Sequence, residues 1–385
     1  MNLKVECVNG ANIPAHLSVT WERLIARHTL PPGGQDVTSG PVWFAALSEA
    51  FDTGRQTRVL ILRDGESVVG LLPLVQESGA VTCRRVMAPT VLYGGRNGFV
   101  LDRPDADRLH VLLGGVRRAF GRWQSIRLVL VEGGEADVLL HEAAARYGYR
   151  LIVDAGEPSP YFPLLQNEAA FSANMSKGLK QTLRTATNKF KVLGPLELRP
   201  FGAESDVEWA MESILAVDRA AWKHEAGTAI TCQPEQERFY RTLFPLAARA
   251  GLLYGQVAML AGEPIAFNFG LLHGAVFCCL KHSQTLEYQA LSPSQLVNAN
   301  MIGALRSRGV AVFDFMGKVE PHKLRWSYAN GQYTRRQVWV YAPTFCGRFG
   351  HLLHRCKRWL RQAPLRRQPA AGSVLESNPR HRGPR

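Results

Sequence analysis

Apolar residues recur along this chain with two alternating periods. Helical spacing governs Pro41 to Phe51, where Val42, Trp43, Ala46, Leu47, Ala50 and Phe51 share a side. Strand-like runs follow at Arg58 to Arg63 and Ser67 to Gln76, joined by the turn dipeptide Asp64-Gly65. A short strand at Leu3 to Val8 and a helical segment at Trp21 to His28 precede them, ending in the turn Pro31-Pro32-Gly33-Gly34. Val81 to Met87 keeps β character. Leu92-Tyr93-Gly94-Gly95 then reads as a bend or a ligand loop. Helix, strand, helix and strand come next, at Asp105 to Trp123, Ser125 to Val131, Ala136 to Tyr147 and Arg150 to Val153. The first half is therefore a mixed α/β unit.

The second half repeats that outline. After a Pro-rich loop at Ala155 to Pro160, Ala169 to Leu193 forms a helix or helix pair. Its Lys177, Lys180 and Arg184 share one face, either plainly solvated or turned to an anionic ligand. Helices at Asp206 to His224 and Gln233 to Ala250 lead into strands at Leu252 to Leu260, Ile265 to Leu272 and Ala275 to His282. Ser292-Pro293 starts a further helix, with Ser292 as the capping side chain and Leu296, Val297, Met301, Ala304 and Leu305 facing the core. Arg306 and Arg308 occupy its last turn, Gly309 ends it, and Val310 to Phe315 is a buried strand. Two such units suggest an internal duplication. The expected divisions are 1–155, a connecting loop and basic helix at 156–201, 202–344, and a tail at 345–385.

Composition changes this picture at one point. The 385 residues are 46% hydrophobic, enough for sizeable cores, and carry a formal charge of +14. Nine of those charges sit in residues 346 to 385, which hold ten Lys/Arg against Glu376. The remaining +5 is too mild to signal a specific nucleic-acid partner. In the tail, Phe345, Phe349, Leu352, Leu353, Cys356 and Leu360 lie at helical spacing among arginines. That basic amphipathic helix suits a membrane surface, an acidic partner, or docking on its own body. Residues 363 to 385 read as disordered. Seven cysteines without metal spacing read as free thiols, and no metal is expected. No apolar run reaches the ~18 residues of a spanning helix, and Met1 to Leu17 lacks the apolar core of a signal peptide. The expectation is a cytoplasmic protein, or one peripheral at the inner membrane surface.

The candidate chemistry gathers between Ser292 and Trp326. A helix that starts directly after a strand offers unpaired N–H groups to a phosphate. Asp314 lies between Phe313 and Phe315, so its carboxylate requires a partner or a raised pKa. It is a general base or anchor on one reading, and an ion pair or cap for the Gly317 turn on the other, with Lys323 and Arg325 nearby.

These features together resemble one family. The Gly262-Glu263-Pro264-Ile265-Ala266 hairpin turn, Ser292-Pro293, Arg308-Gly309-Val310-Ala311-Val312-Phe313-Asp314-Phe315 and Glu320-Pro321-His322-Lys323-Leu324-Arg325-Trp326 are similar to GNAT-superfamily acetyltransferases of the CelD type, associated with bacterial cellulose and exopolysaccharide synthesis. Asp218-Arg219-Ala220-Ala221-Trp222 and the basic Lys177 to Lys189 segment fit as well. FemAB peptidyltransferases, with two GNAT-like domains per chain, are similar in turn. The resemblance implies two tandem GNAT-like domains in an α/β fold with a mixed sheet. It implies acetyl-CoA or another acyl-CoA as donor, and an amine or hydroxyl acceptor on a small molecule or polysaccharide precursor. The pyrophosphate would sit at Ser292, Ser294, Gln295 and Leu296; Ser294 stands where the family has glycine, and His322 where it has tyrosine. Asp314, Lys323 and His282 would be catalytic, and Arg219, Trp222 and Arg325 would face the acceptor. Two other readings remain open: a non-catalytic GNAT-like binding module in an exopolysaccharide assembly, and a FemAB-like transferase that uses aminoacyl-tRNA.

Overall fold

The computed structural model describes residues 2–10, 13–27, 36–51, 57–76, 84–87, 95–96, 98–165 and 167–362. Leu92 to Gly94, Cys83 and the 363–385 tail fall outside them. Among the described residues, one sheet of fourteen strands spans both halves. In chain order these are β1 (Leu3–Asn9), β2 (Thr57–Asp64), β3 (Ser67–Gln76), β4 (Arg84–Met87), β5 (Val100–Leu101), β6 (Trp123–Val131) and β7 (Arg150–Val153). They continue as β8 (Glu157–Pro163), β9 (Leu196–Phe201), β10 (Leu253–Leu260), β11 (Glu263–His273), β12 (Val276–Gln284), β13 (Val312–Asp314) and β14 (Gly331–Tyr341). The spatial order is β1-β2-β3-β4-β6-β14-β8-β13-β12-β11-β10-β9, with β5 beside β3 and β7 beside β14.

The halves join at β14 and β8. β14, near the end of the chain, pairs antiparallel with β6 along Arg335 to Tyr341 and with β8 along Gly331 to Arg335. β8 in turn pairs with β13. This corrects the expected loop at Ala155 to Pro160. Alternating prolines argue against a central strand because each lacks a ladder donor. Here Pro160 faces the far side, where its carbonyl accepts from Phe315 N at 3.2 Å just past the end of β13. Pro163 lies beyond Tyr161↔Gly331, the last rung with β14. The missing N–H groups point where the ladders have run out.

Helices cover both faces of the sheet. In the first half, Ala106–Gly114, Val116–Phe120 and Glu135–Tyr147 close a core with β2, β3 and β6. In the second, Val207–Arg219 and Pro234–Arg249 pack on one face of β10 and β11, while Pro293–Ser307 and Lys177–Leu193 pack on the other. Adjacent Cys278 and Cys279 point into these two separate cores. Pro41–Phe51, from the first half of the sequence, belongs to the second core, where Trp43 meets Phe239 at 4.9 Å between ring centroids. Lys177–Leu193 buries Leu179, Ala186 and Phe190 and leaves Lys177 and Arg184 exposed and Lys180 half-buried. The thiol expectation holds at Cys7, Cys232, Cys278, Cys279 and Cys356. Cys346 is disulfide-bonded, a correction that no local cysteine spacing could have signalled.

Candidate functional site

β12 and β13 run parallel for three rungs, Val276↔Val312 to Cys278↔Asp314, and then separate. β13 ends because the chain turns sharply. Met316 takes a left-handed φ of 50° and Gly317 N returns to Phe315 O at 2.5 Å. β12 continues with a bulge: Phe269 pairs with Lys281 but Gly270 with Cys279, leaving Leu280 extra. Only glycine permits this, since a Cβ at position 270 would lie 2.0 Å from Cys278 O. The divergence opens a cleft of about 550 Å³ between β12, the Phe315 to Lys323 segment and the helices on the near face.

Three lysines reach this cleft. Lys223 Nζ donates to His282 O at 2.7 Å, and burial pushes its pKa down. Burial pushes Lys281 down to about 8, opposed by Asp218 at 4.0 Å. Lys323 Nζ donates to Lys318 O at 2.7 Å and pairs with Glu320 at 2.8 Å. Burial, with Lys223 next, holds His282 neutral well below the usual imidazole range. His322 is depressed for the same first reason, and the two rings lie 5.6 Å apart. The cleft thus holds partly buried basic groups close together, which raises the energy of every unneutralised charge.

Its walls also carry buried polar atoms with no hydrogen-bond partner: Trp43 Nε1, Tyr240 Oη, Ser283 Oγ, Gln295 Oε1 and His322 Nε2. Leaving such a group unsatisfied costs about 1–3 kcal/mol. All five belong to residues that line the cleft. Asn268 links the surrounding elements, donating to Asn298 Oδ1 at 2.6 Å and accepting from Cys279 Sγ at 3.3 Å.

Several of the residues singled out in the sequence meet here. His282, Lys323, Ser294, Gln295 and Trp222 line the cleft, as does Gly95 of the glycine turn. Asp314 does not line it. Fully buried, it accepts from Arg96 Nη1 at 3.2 Å, Tyr333 Oη at 3.0 Å and Met316 N at 2.8 Å. Its partner is thus Arg96, 218 residues away, instead of the nearby Lys323 or Arg325. Burial pushes its pKa up while Arg96 opposes the shift. The Met316 contact pins the turn that ends β13. Arg96 also meets Asp36 at 3.3 Å, so the network ties both halves together behind the cleft.

Ser292 is not the side-chain cap the sequence suggests. It adopts φ 54°, ψ 48°, and Gln284 Oε1 caps the helix by accepting from Ser294 N at 3.1 Å and Ser294 Oγ at 2.7 Å. The left-handed turn swings the Ser292 side chain away, and the end of β12 delivers Gln284 in its place. Leu296 lies instead in a shallow depression against Lys177–Leu193. Arg219 is exposed and off the cleft, and Arg325 donates to Thr182 Oγ1 at 2.9 Å. Sequence reading missed Lys223, Lys281, Tyr240, Trp43 and Gln284. Lys281 alone left a signal, a charge directly after the apolar run Val276 to Leu280.

Comparison with known proteins bears on the same region. Residues 177–324 match the family model described as acetyltransferase (GNAT) domain. No curated protein matches the sequence. Among solved structures, FemX superposes with a TM-score of 0.58 at 11% identity, covering 86% of this chain and 96% of that one. A tandem GNAT protein from the clavulanic acid biosynthesis pathway gives 0.51 at 14% identity, covering 89% and 99%. L-PGS from Bacillus licheniformis gives 0.50 at 12% identity, covering 85% and 92%. The fold is therefore a mixed α/β tandem-GNAT fold, with a GNAT acetyltransferase domain matched over the segment that builds the cleft.

Proposed function

We propose that the protein is an acyltransferase that moves an acetyl or other acyl group from acyl-CoA to an amine or hydroxyl of its acceptor. The observation that carries this is the divergence of β12 from β13, which opens a polar cleft inside the segment matched to the GNAT domain. A donor entering between the strands would meet Gln295 and the start of Pro293–Ser307. Ser294 does not obstruct it, because its hydroxyl is turned onto Gln284. Acyl-CoA would supply an activated thioester. The acceptor nitrogen or oxygen bonds to the acyl carbon as the C–S bond breaks, the acceptor proton passes to a base, and sulfur leaves with the bonding pair.

Lys281 is best matched to proton acceptance, with a pKa of about 8 at the cleft wall. His282 stays neutral and holds Lys223 through its carbonyl. Lys223 and Lys323 favour an acceptor that carries an anionic group, and the resemblance to the CelD type suggests a polysaccharide precursor. Asp314 becomes a positioning residue, acting through the Met316 turn.

The test is thermal unfolding with acetyl-CoA and with free CoA. A donor at 100 times its Kd adds about 2.7 kcal/mol of stability, a clear rise in Tm. No rise with any acyl-CoA tried rules out the donor assignment. The kcat/KM profile should also climb through pH 8 as Lys281 loses its proton.

A further inference from the structure

The helix Phe345–Gln362 settles against the first half by an unusual face. Gly347, Gly350, His351, His354 and Arg358 recur at helical spacing and face inward. Gly350 sits directly on Gln124, where an added Cβ would come within 2.4 Å. His354 Nδ1 lies 2.5 Å from Tyr341 Oη, and Arg358 Nη1 donates to both Asp154 Oδ1 and Val153 O at 3.0 Å. Of the readings left open for this helix, docking on its own body is seen in these contacts, and it uses glycine, histidine and arginine.

The apolar side of the helix points outward. Phe345, Phe349, Leu352, Leu353, Trp359 and Leu360 are between 44% and 87% exposed and form one stripe. Arg348 and Arg355 flank it on one side and Lys357 on the other, all exposed. The helix contains no acidic residue, and the 23 residues after it add five arginines against Glu376. No described helix is long and apolar enough to cross a membrane. An apolar stripe bordered by cations, held tangentially on a rigid body, matches a surface that is apolar below and anionic above.

We propose that this face binds the surface of an anionic bilayer, with the phenylalanines, leucines and Trp359 sunk among the acyl chains and the flanking arginines at the headgroups. The fixed docking of the opposite side makes the helix a preformed anchor, one that is not required to detach from the body in order to bind.

The experiment is co-sedimentation of the full chain with vesicles of phosphatidylcholine alone and of phosphatidylcholine with phosphatidylglycerol. Binding should require the anionic lipid and weaken as salt rises. Phe349→Glu/Leu352→Glu should lower it about tenfold or more, with Tm unchanged because both side chains are exposed. Val192→Glu, on an exposed site of another helix, should bind like the parent. The proposal is overturned if the parent chain stays in the supernatant with anionic vesicles. It is equally overturned if the double variant binds as well as the parent, since the arginine-rich tail alone would then suffice. Light scattering that shows a dimer, made monomeric by the double variant and indifferent to lipid, would assign the face to a second copy of the chain instead.

Discussion

The two halves share a motif and treat it differently. Each has a pair of parallel strands with helical chain between them: β4 with β6, across β5 and two helices, and β12 with β13, across Pro293–Ser307. In the first half β6 runs only four residues, Leu128 to Val131, past Met87↔Arg127, its last rung with β4. The cavity nearby holds only about 140 Å³ and is walled largely by Phe99, Val100, Leu101, Leu130 and Leu139. In the second half β12 outruns its partner by six residues, Cys279 to Gln284, and those residues line a cleft about four times larger. A site arises here from where a strand stops, and the stop is enforced by Asp314, Met316 and Arg96. The first half contributes walls and a counter-charge: Trp43, Gly95 and Arg96.

That comparison can be broken most forcefully at Arg96. Arg96→Met leaves Asp314 buried without its cation, at a cost of about 3–5 kcal/mol, read from the urea midpoint. Arg108 in the first half meets Asp64 and Asp102, both partly exposed, so Arg108→Met should cost less. Equal losses would mean that the junction network is not special.

Lys281 gives the next effect. Its folded pKa of about 8 lies below the ordinary 10.5. The unfolded chain therefore binds more protons between those values, and stability should rise as pH climbs from 8 to 10.5. The rise is worth up to about 3 kcal/mol and should flatten in Lys281→Met, which should also lose the alkaline limb of activity. A parent protein with no such rise would place Lys281 in water. Gly270→Ala drives a methyl onto the Cys278 carbonyl at the bulge; about 1–3 kcal/mol of strain, with a larger loss of acyl-CoA affinity, is expected from melts and titration. The smallest effect belongs to Gln284→Ala, which removes the helix cap for about 1 kcal/mol by thermal unfolding.

Most of the architecture was legible because strands and helices here obey their periods. Pro41–Phe51 and β7 fall within their expected limits, and the hairpins of β2–β3 and β10–β11 are marked by their turns. Glu157–Pro163 was not legible, because prolines are tolerated there only through the neighbouring geometry. β9 and β14 went unread altogether. Of the residues that line the cleft, His282, Lys323, Ser294 and Trp222 stand out in the sequence by their place in the motif. The Arg96–Asp314 pair spans the chain, and no local pattern encodes such a contact. Arg219 and Arg325 lay close in sequence to cleft residues, but the helix turn and the Thr182 contact carry them away from it.

The position of β14 also bears on how the chain is made. β6 is complete by Val131, yet the strand that covers its edge starts at Gly331 and meets β6 only from Arg335. During synthesis some 200 residues must leave the ribosome before that rung can close, at about 5–20 residues per second. For tens of seconds one edge of β6 stays open, the kind that invites pairing with another nascent chain. The first half is thus encoded early and finished last, and a chain that stops short of Gly331 should aggregate instead of yielding a working N-terminal fragment.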